Sequence, residues 1–227
     1  MSTVALPTTS TGPAFHTETD LARMAARSDR ASFEELYRRH SQMSWRLAQA
    51  VSPGGRQAVD AVAEGFAQVL RGLRRRRLNA DSPFRPVLLT EVYRAAMDEV
   101  RTTKTAASTP EATPASGVAV AFKSLPERWR AAVWLTDVEQ LESSVVATVL
   151  GVSAPVAAQL VDRGHQGLVS RFAQTGTAVP NHLGAALRPM AAAVPANMEA
   201  VAIKRWKGSM TVAPSGRLAP AADWLSE

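Results

Sequence analysis

The sequence contains no cysteine among its 227 residues. This absence excludes a disulfide-stabilised scaffold, a thiolate metal site and a cysteine nucleophile. Histidine is scarce too: four residues are scattered along the chain without HExxH spacing, so we expect neither a metal site nor a cofactor. No uncharged apolar run reaches the roughly 18 residues that a membrane span requires. We therefore expect a cytoplasmic protein that does not enter a membrane.

Lysine is also rare, and arginine carries the positive charge. The chain has 22 arginines and four lysines against 20 acidic residues, which gives a net charge of +6. A basic chain of this size often binds a polyanion, because each neutralised phosphate releases counterions. The excess of arginine over lysine and the abundance of alanine are equally typical of a GC-rich genome. Charge alone therefore leaves nucleic-acid binding and genomic base composition as alternatives.

Segments without large apolar residues divide the chain. Residues 102–117 (TTKTAASTPEATPASG) predict a flexible linker, and residues 208–227 predict a loose C-terminus. Residues 1–17 are rich in Ser, Thr and Pro and lack a signal-peptide pattern, so they predict a disordered N-terminus. Between these segments, apolar residues recur at steps of three and four, and no segment shows sustained strand alternation. This periodicity predicts an all-α fold.

A helix pair follows the linker. One predicted helix runs from Ser143 to Leu150 and ends at Gly151, and the next extends from about Ala154 to Phe172 after Ser153. A helix, a tight turn containing glycine and a second helix are typical of a helix-turn-helix. Helix pairs joined by glycine also occur in any helical bundle, so this signal alone leaves both interpretations open.

The ordered segments together resemble the extracytoplasmic-function (ECF) sigma factors of bacterial RNA polymerase. The segments similar to the first domain of that family are FEELYRRH (33–40), DAVAEGFAQVL (60–70) and PFRPVLLTEVYRAAMDEVR (83–101). Those similar to its second domain are LPERWRAAVWLTDVE (125–139) and VVATVLGVSAPVAAQLVDRGHQGL (145–168). The order and spacing of these segments agree with the family over residues 18–172. The nearest similarity is to a subgroup of ECF sigma factors from high-GC bacteria whose members carry a C-terminal extension.

The resemblance implies an organisation and a function. The implied parts are a region 2-like domain (18–101), a flexible linker (102–121), a region 4-like helix-turn-helix domain (122–175) and a partly helical C-terminal extension (176–227). Such a protein directs core RNA polymerase to specific promoters and is not an enzyme. The sequence agrees in that its Ser, His and Asp residues stand in no nucleophile-elbow or phosphate-loop context.

The resemblance also implies three sets of binding residues. Those that dock on core RNA polymerase are Asp60, Glu64, Gln68 and Arg71. Those that melt promoter DNA at the −10 region are Arg74, Arg75, Arg76, Arg77, Tyr93, Arg94 and Arg101. Those that read the −35 region are Ser153, Ala157, Ala158, Gln159 and Arg163. The alternative for the first set is that these residues form an ordinary solvent-exposed helix face. The alternative for the four consecutive arginines is that their positive charges stabilise the C-terminal end of a helix by interacting with the helix dipole.

The second domain departs from the family pattern in its charge. Residues 122–175 contain five basic and five acidic residues, whereas residues 18–101 contain fifteen and eleven. A neutral module lacks the electrostatic attraction that supplies most non-specific DNA affinity. A second hypothesis is therefore a degenerate sigma-like regulator that acts by protein contact without promoter recognition. An anti-sigma factor or another regulator is a further implied partner.

The C-terminal extension contains one basic segment with an aromatic residue. Lys204, Arg205, Trp206 and Lys207 form it, and the pattern suits either contact with nucleic acid or a membrane surface, or packing of the tryptophan on the protein itself. We favour packing. A zinc-binding extension is excluded, because this segment has His182 and no cysteine. The extension could also hold the factor inactive.

Overall fold

The computed structural model describes residues 16–79, 81–105, 117–175, 178–190 and 193–211. All regular elements in these ranges are helical, which confirms the all-α prediction. The predicted disordered N-terminus lies outside the described residues except for its last two positions, and so does the chain beyond Thr211. No single helix in the described ranges is long and apolar enough to cross a membrane. One consecutive pair reaches the threshold together, but its two helices are bent by 93°.

Four helices form the first domain. They are α1 (Glu18–Ala26), α2 (Arg30–Val51), α3 (Gly55–Arg74) and α4 (Phe84–Thr105). Side-chain caps set the first two starts: Thr17 accepts a hydrogen bond from the backbone N–H of Asp20, and Asp29 accepts one from that of Ser32. The apolar faces of these helices enclose a core around Phe33.

The second domain contains the predicted helix-turn-helix. Its elements are α5 (Gly117–Lys123), α6 (Glu127–Val133), a π-helical turn (Trp134–Val138), α7 (Ser143–Leu150) and α8 (Ala154–Thr175). Gly151 ends α7 with φ of +67°, a left-handed conformation that costs a glycine little. The axes of α7 and α8 meet at 93°, within the range typical of a helix-turn-helix.

Both ends of the predicted linker are helical. Helix α4 continues to Thr105 and α5 begins at Gly117, whereas the linker was expected to span residues 102–121. The threonines at positions 102 and 103 do not stop α4, and Thr102 directs its hydroxyl to the carbonyl oxygens of Asp98 and Glu99. Residues 106–116 lie outside the described part of the chain.

The C-terminal extension contacts both domains. It contains α9 (Leu183–Leu187), a 3-10 turn (Arg188–Met190) and α10 (Met198–Thr211). Leu187 is fully buried in the core of the second domain, and Gly184 lies against the carbonyl oxygen of Asp137. Helix α10 packs on α3 of the first domain. The extension therefore bridges the two domains.

The two domains also contact each other directly. Arg46 of α2 donates hydrogen bonds of 2.7 Å from both Nε and Nη2 to the carboxylate of Glu139. Arg130 of α6, buried to 8% exposure, donates a hydrogen bond of 2.9 Å to the carbonyl oxygen of Val51. Because α7 also packs on α4, the second domain covers part of the first.

Candidate functional site

The predicted polymerase-docking residues share one face of α3. Asp60, Glu64, Gln68 and Arg71 follow one another at steps of four, four and three, which places their side chains in a row. Gln68 donates a hydrogen bond of 2.6 Å to Glu64, and Arg71 Nη2 lies 3.7 Å from the same carboxylate. The structure thus joins Glu64, Gln68 and Arg71 in a polar network with Glu64 at its centre, and Asp60 lies about one helical turn before Glu64 on the same face.

Helix α10 lies over this row. Arg205 Nη1 donates a hydrogen bond of 3.0 Å to Glu64 Oε2, and its Nη2 lies 3.8 Å from Asp60 Oδ1. A groove of about 520 Å³ remains between α3 and α10, and Asp60, Glu64, Arg71, Lys204 and Arg205 are among its lining residues. Both carboxylates of this row, Asp60 and Glu64, are therefore already paired with a cation of the same chain.

Trp206 anchors α10 in an aromatic site of the first domain. Its ring stacks on Phe33 with a centroid distance of 4.4 Å and an interplanar angle of 14°. Phe33 in turn contacts Tyr37 and Phe66. Trp206 is 1% exposed, so the structure confirms that this tryptophan packs on the protein itself. Within the described residues its buried Nε1 has no hydrogen-bond partner.

The arginine cluster, residues 74–77, follows the C-terminal end of α3. Arg74, Arg76 and Arg77 are exposed and Arg75 is half-buried. Arg76 adopts a left-handed backbone with φ of +53°, so the chain turns sharply there. Arg74 donates a hydrogen bond to the carbonyl oxygen of Met210, and thereby ties the cluster to the end of α10.

The other predicted −10 residues lie elsewhere on the first domain. Arg94 is 59% exposed and pairs with Glu91 at 2.9 Å, and Arg101 is 61% exposed and pairs with Asp98 at 3.2 Å. Seventeen residues separate Arg101 from Phe84 at the start of α4, which is about 25 Å along the helix axis. The structure therefore does not bring Arg101 and the arginine cluster together.

Tyr93 is buried in this conformation. It is 6% exposed within the core of the first domain, and burial raises the pKa of its hydroxyl, while Arg128 of the second domain acts in the opposite direction. Its neighbour on the same helix, Glu91, also has a raised pKa because of burial, which the pairing with Arg94 partly offsets. A stacking role for Tyr93 requires its ring to become accessible first.

The predicted −35 residues divide into an exposed and a buried group. Ser153, Ala158, Gln159 and Arg163 are exposed on one side of α8 and its preceding turn. Ala157 is 1% exposed and belongs to the core, so its methyl group faces the protein interior and not solvent. His165, next to this surface, lies 2.7 Å from Asp137 of the π-helical turn.

Two long-range ion-pair contacts were not predicted from the sequence. One is the contact of Arg205 with Asp60 and Glu64, and the other joins Arg46 to Glu139. Opposite charges were visible in both cases, but 93 residues separate Arg46 from Glu139 and 141 separate Arg205 from Glu64. Only folding brings them together. In the described ranges no group of three His, Cys, Asp or Glu side chains could hold a metal ion.

Comparisons with known proteins bear on the fold. No protein-family model and no curated protein matches the chain. Solved structures do match, among them the structure of CnrH in complex with the cytosolic domain of CnrY. That match has a TM-score of 0.52 and 21% sequence identity, and it covers 67% of this chain and 95% of CnrH. CnrH is an ECF sigma factor. The chain therefore shares the all-α fold of CnrH.

Proposed function

We propose that this protein is an alternative sigma factor of the ECF type, a dissociable subunit that directs core RNA polymerase to specific promoters. The fold shared with CnrH supports this proposal, together with the sequence segments that resemble both domains of ECF sigma factors. A resemblance in two separate domains is more specific than a resemblance in either one alone. The proposed role is regulatory and not enzymatic.

The acidic row on α3 is the proposed polymerase-docking surface. Its carboxylates, Asp60 and Glu64, suit basic groups on the polymerase, and Gln68 and Arg71 hold Glu64 in place. The arginine cluster and Arg94 supply exposed cations for promoter DNA near −10, where phosphates must be gripped while the strands separate. Tyr93 and Arg101 remain in the proposal as residues that contact DNA after a change of conformation.

Helix α8 is the proposed −35 reader. Its exposed side presents Ser153, Ala158, Gln159 and Arg163, of which Gln159 and Arg163 have the donors that read base edges in the major groove. We leave Ala157 out of this surface because it is buried. Tethering to polymerase would raise the effective concentration of such a weak reader at the promoter.

The alternative is a sigma-like regulator that acts by protein contact alone. The sparse cations of α8 favour it, since Arg163 is the one basic residue between Ala154 and Gly164. Regulation by another polypeptide is part of either proposal. The comparison structure contains CnrH with the cytosolic domain of CnrY, and by analogy we include an anti-sigma factor among the proposed partners.

Run-off transcription tests the proposal directly. Core polymerase, fragmented genomic DNA and the full chain are incubated together, and transcripts are compared with those from a reaction without the chain. New, discrete start sites are expected from a sigma factor. Confirmed polymerase binding with no new transcript from any variant, including those that release α10 (below), would instead support the protein-contact regulator.

Charge reversal on α3 is expected to weaken polymerase binding by at least tenfold. The double variant Asp60→Lys, Glu64→Lys replaces two carboxylates with cations, so groups that attracted basic polymerase residues now repel them. Co-elution and titration with core polymerase measure the effect. The matched control is Glu34→Lys, an acidic residue on α2 whose described partner is Arg30. Unchanged co-elution of the double variant, both in the parent chain and in a Trp206→Ala chain that lacks the aromatic anchor of α10, would remove the docking assignment.

Arg94→Glu is expected to reduce open-complex formation by about tenfold without changing polymerase affinity. The substitution removes an exposed cation from the proposed melting surface, and it spares Tyr93, whose truncation would also disturb the core. Permanganate footprinting of a target promoter measures strand opening. Arg38→Glu serves as control, because Arg38 is 70% exposed on α2 outside the proposed DNA surface. Equal footprints for both variants would contradict the assignment of Arg94.

A further inference from the structure

Helix α10 has the chemistry of a ligand for the docking surface. It places one cation, Arg205, against Asp60 and Glu64, and a second, Lys204, lines the groove beside these carboxylates. Any partner that docks on two carboxylates has to present basic groups at the same place. The same site therefore cannot hold α10 and a polymerase segment simultaneously.

The contacts of α10 extend beyond this ion pair. Trp206 fills the aromatic site next to the acidic row, and Arg74, the first residue of the arginine cluster, bonds to the carbonyl oxygen of Met210. One helix thus engages both the proposed docking surface and the start of the proposed DNA surface. Since Leu187 of α9 is buried in the second domain, the extension also connects the two domains.

The structure also contains features that favour release. The Arg205 side chain is 46% exposed, so its ion pairs are screened by solvent and contribute little. The indole N–H of Trp206 is buried without a partner in the described residues, which opposes the closed state. The attachment of α10 therefore depends mainly on its buried apolar side chains, Met198, Ala202, Trp206 and Met210.

We propose that α10 is an internal competitor of core RNA polymerase for the acidic row on α3, and that polymerase docks only on molecules in which α10 has left this surface. The inference rests on the proposed sigma-factor function and adds its regulation. Apparent affinity falls in proportion to the open fraction, so a chain that is closed about nine tenths of the time binds about tenfold more weakly than one that is always open.

Two substitutions in the full-length chain test the inference. Arg205→Glu sets a negative charge against Asp60 and Glu64, and Trp206→Ala removes the aromatic anchor. The matched control is Lys207→Glu, which makes the same charge change at an exposed position of the same helix without a described ion pair. Amide hydrogen exchange over residues 198–211 reports release of α10, and exchange over α2 and α3 reports that the first domain stays folded. Titration with core polymerase reports docking.

The expected result is faster exchange in α10 for both variants, with polymerase binding up to about tenfold tighter for Trp206→Ala, a smaller increase for Arg205→Glu, and no change for Lys207→Glu. Release of α10 without a change in polymerase affinity would overturn the competition and leave the proposed function intact. Unchanged exchange in both variants would overturn the assignment of these contacts. Absence of polymerase binding by every variant, although α10 exchanges freely, would instead overturn the proposed function. Arg205→Glu keeps the test decisive if Trp206→Ala disturbs α2 and α3.

Discussion

Removal of the Arg46 side chain is expected to lower the free energy of unfolding by about 3 kcal/mol, because it leaves the carboxylate of Glu139 buried without its cation. Glu139 is 2% exposed and accepts two hydrogen bonds of 2.7 Å from Arg46 and one of 3.2 Å from Trp134 Nε1. The pair joins α2 of the first domain to the end of the π-helical turn in the second. Arg46→Ala therefore also loosens the contact between the domains.

Urea unfolding of the full chain measures this loss. The matched control is Arg38→Ala: Arg38 also lies on α2 and pairs with a glutamate, but it is 70% exposed, so its removal is expected to cost less than about 1 kcal/mol. The double variant Arg46→Met, Glu139→Leu should recover most of the lost stability, since an apolar pair carries no unpaired charge. If Arg46→Ala lowers the free energy of unfolding as little as Arg38→Ala does, the Glu139 carboxylate must become hydrated when Arg46 is absent, which would contradict the prediction.

Gly65→Ala is expected to lower the free energy of unfolding by about 2 kcal/mol through overpacking. A Cβ at this position would overlap Val92 Cγ2 and lie 3.0 Å from both the Cα and the backbone nitrogen of Val92. The side chain of Val92 could rotate, but the backbone of α4 cannot retreat without separating the helix pair that forms most of the first domain. The missing side chain of Gly65 therefore sets the distance between α3 and α4.

Gly208→Ala is the matched control for this change. It is the same substitution in another helix, at a position where an added Cβ meets nothing within 4 Å. Alanine favours a helix over glycine by up to about 1 kcal/mol, so this variant is expected to be slightly more stable than the parent chain. Thermal unfolding of both variants measures the contrast. The two changes in the free energy of unfolding need not be equal in size. A Gly65→Ala chain that is more stable than the parent would contradict the close approach of α3 and α4.

The helices themselves were largely predictable. The predicted helices from Ser143 to Leu150 and from about Ala154 to Phe172 correspond closely to the observed α7 and α8. These predictions succeed because a helix buries a stripe whose period is fixed by local geometry. The limits of the linker differ from the prediction, because α4 continues to Thr105 and α5 already begins at Gly117. Threonine has a low helix propensity, so the local sequence does not show that residues 102–105 are helical.

The sequence predicts that the side chains of the row on α3 lie close together, but it does not predict which residues elsewhere in the chain they contact. The row from Asp60 to Arg71 follows from spacing along one helix, and the structure places these side chains together. Burial of Tyr93 and Ala157 does not follow from spacing, because both lie on helices with an exposed face and a packed face. Which face meets the other domain depends on residues far away in the sequence.

By itself the sequence determined the helical class, the helix pair joined at Gly151, the absence of cysteine chemistry and the segments that resemble ECF sigma factors, because each of these depends on composition or on residues close together in the chain. Only the tertiary structure decided that α10 lies over the acidic row, that Trp206 fills the site beside Phe33, and that Arg46 meets Glu139. Those contacts join segments 93 to 173 residues apart, so they arise only after the chain has collapsed and complementary surfaces select one another.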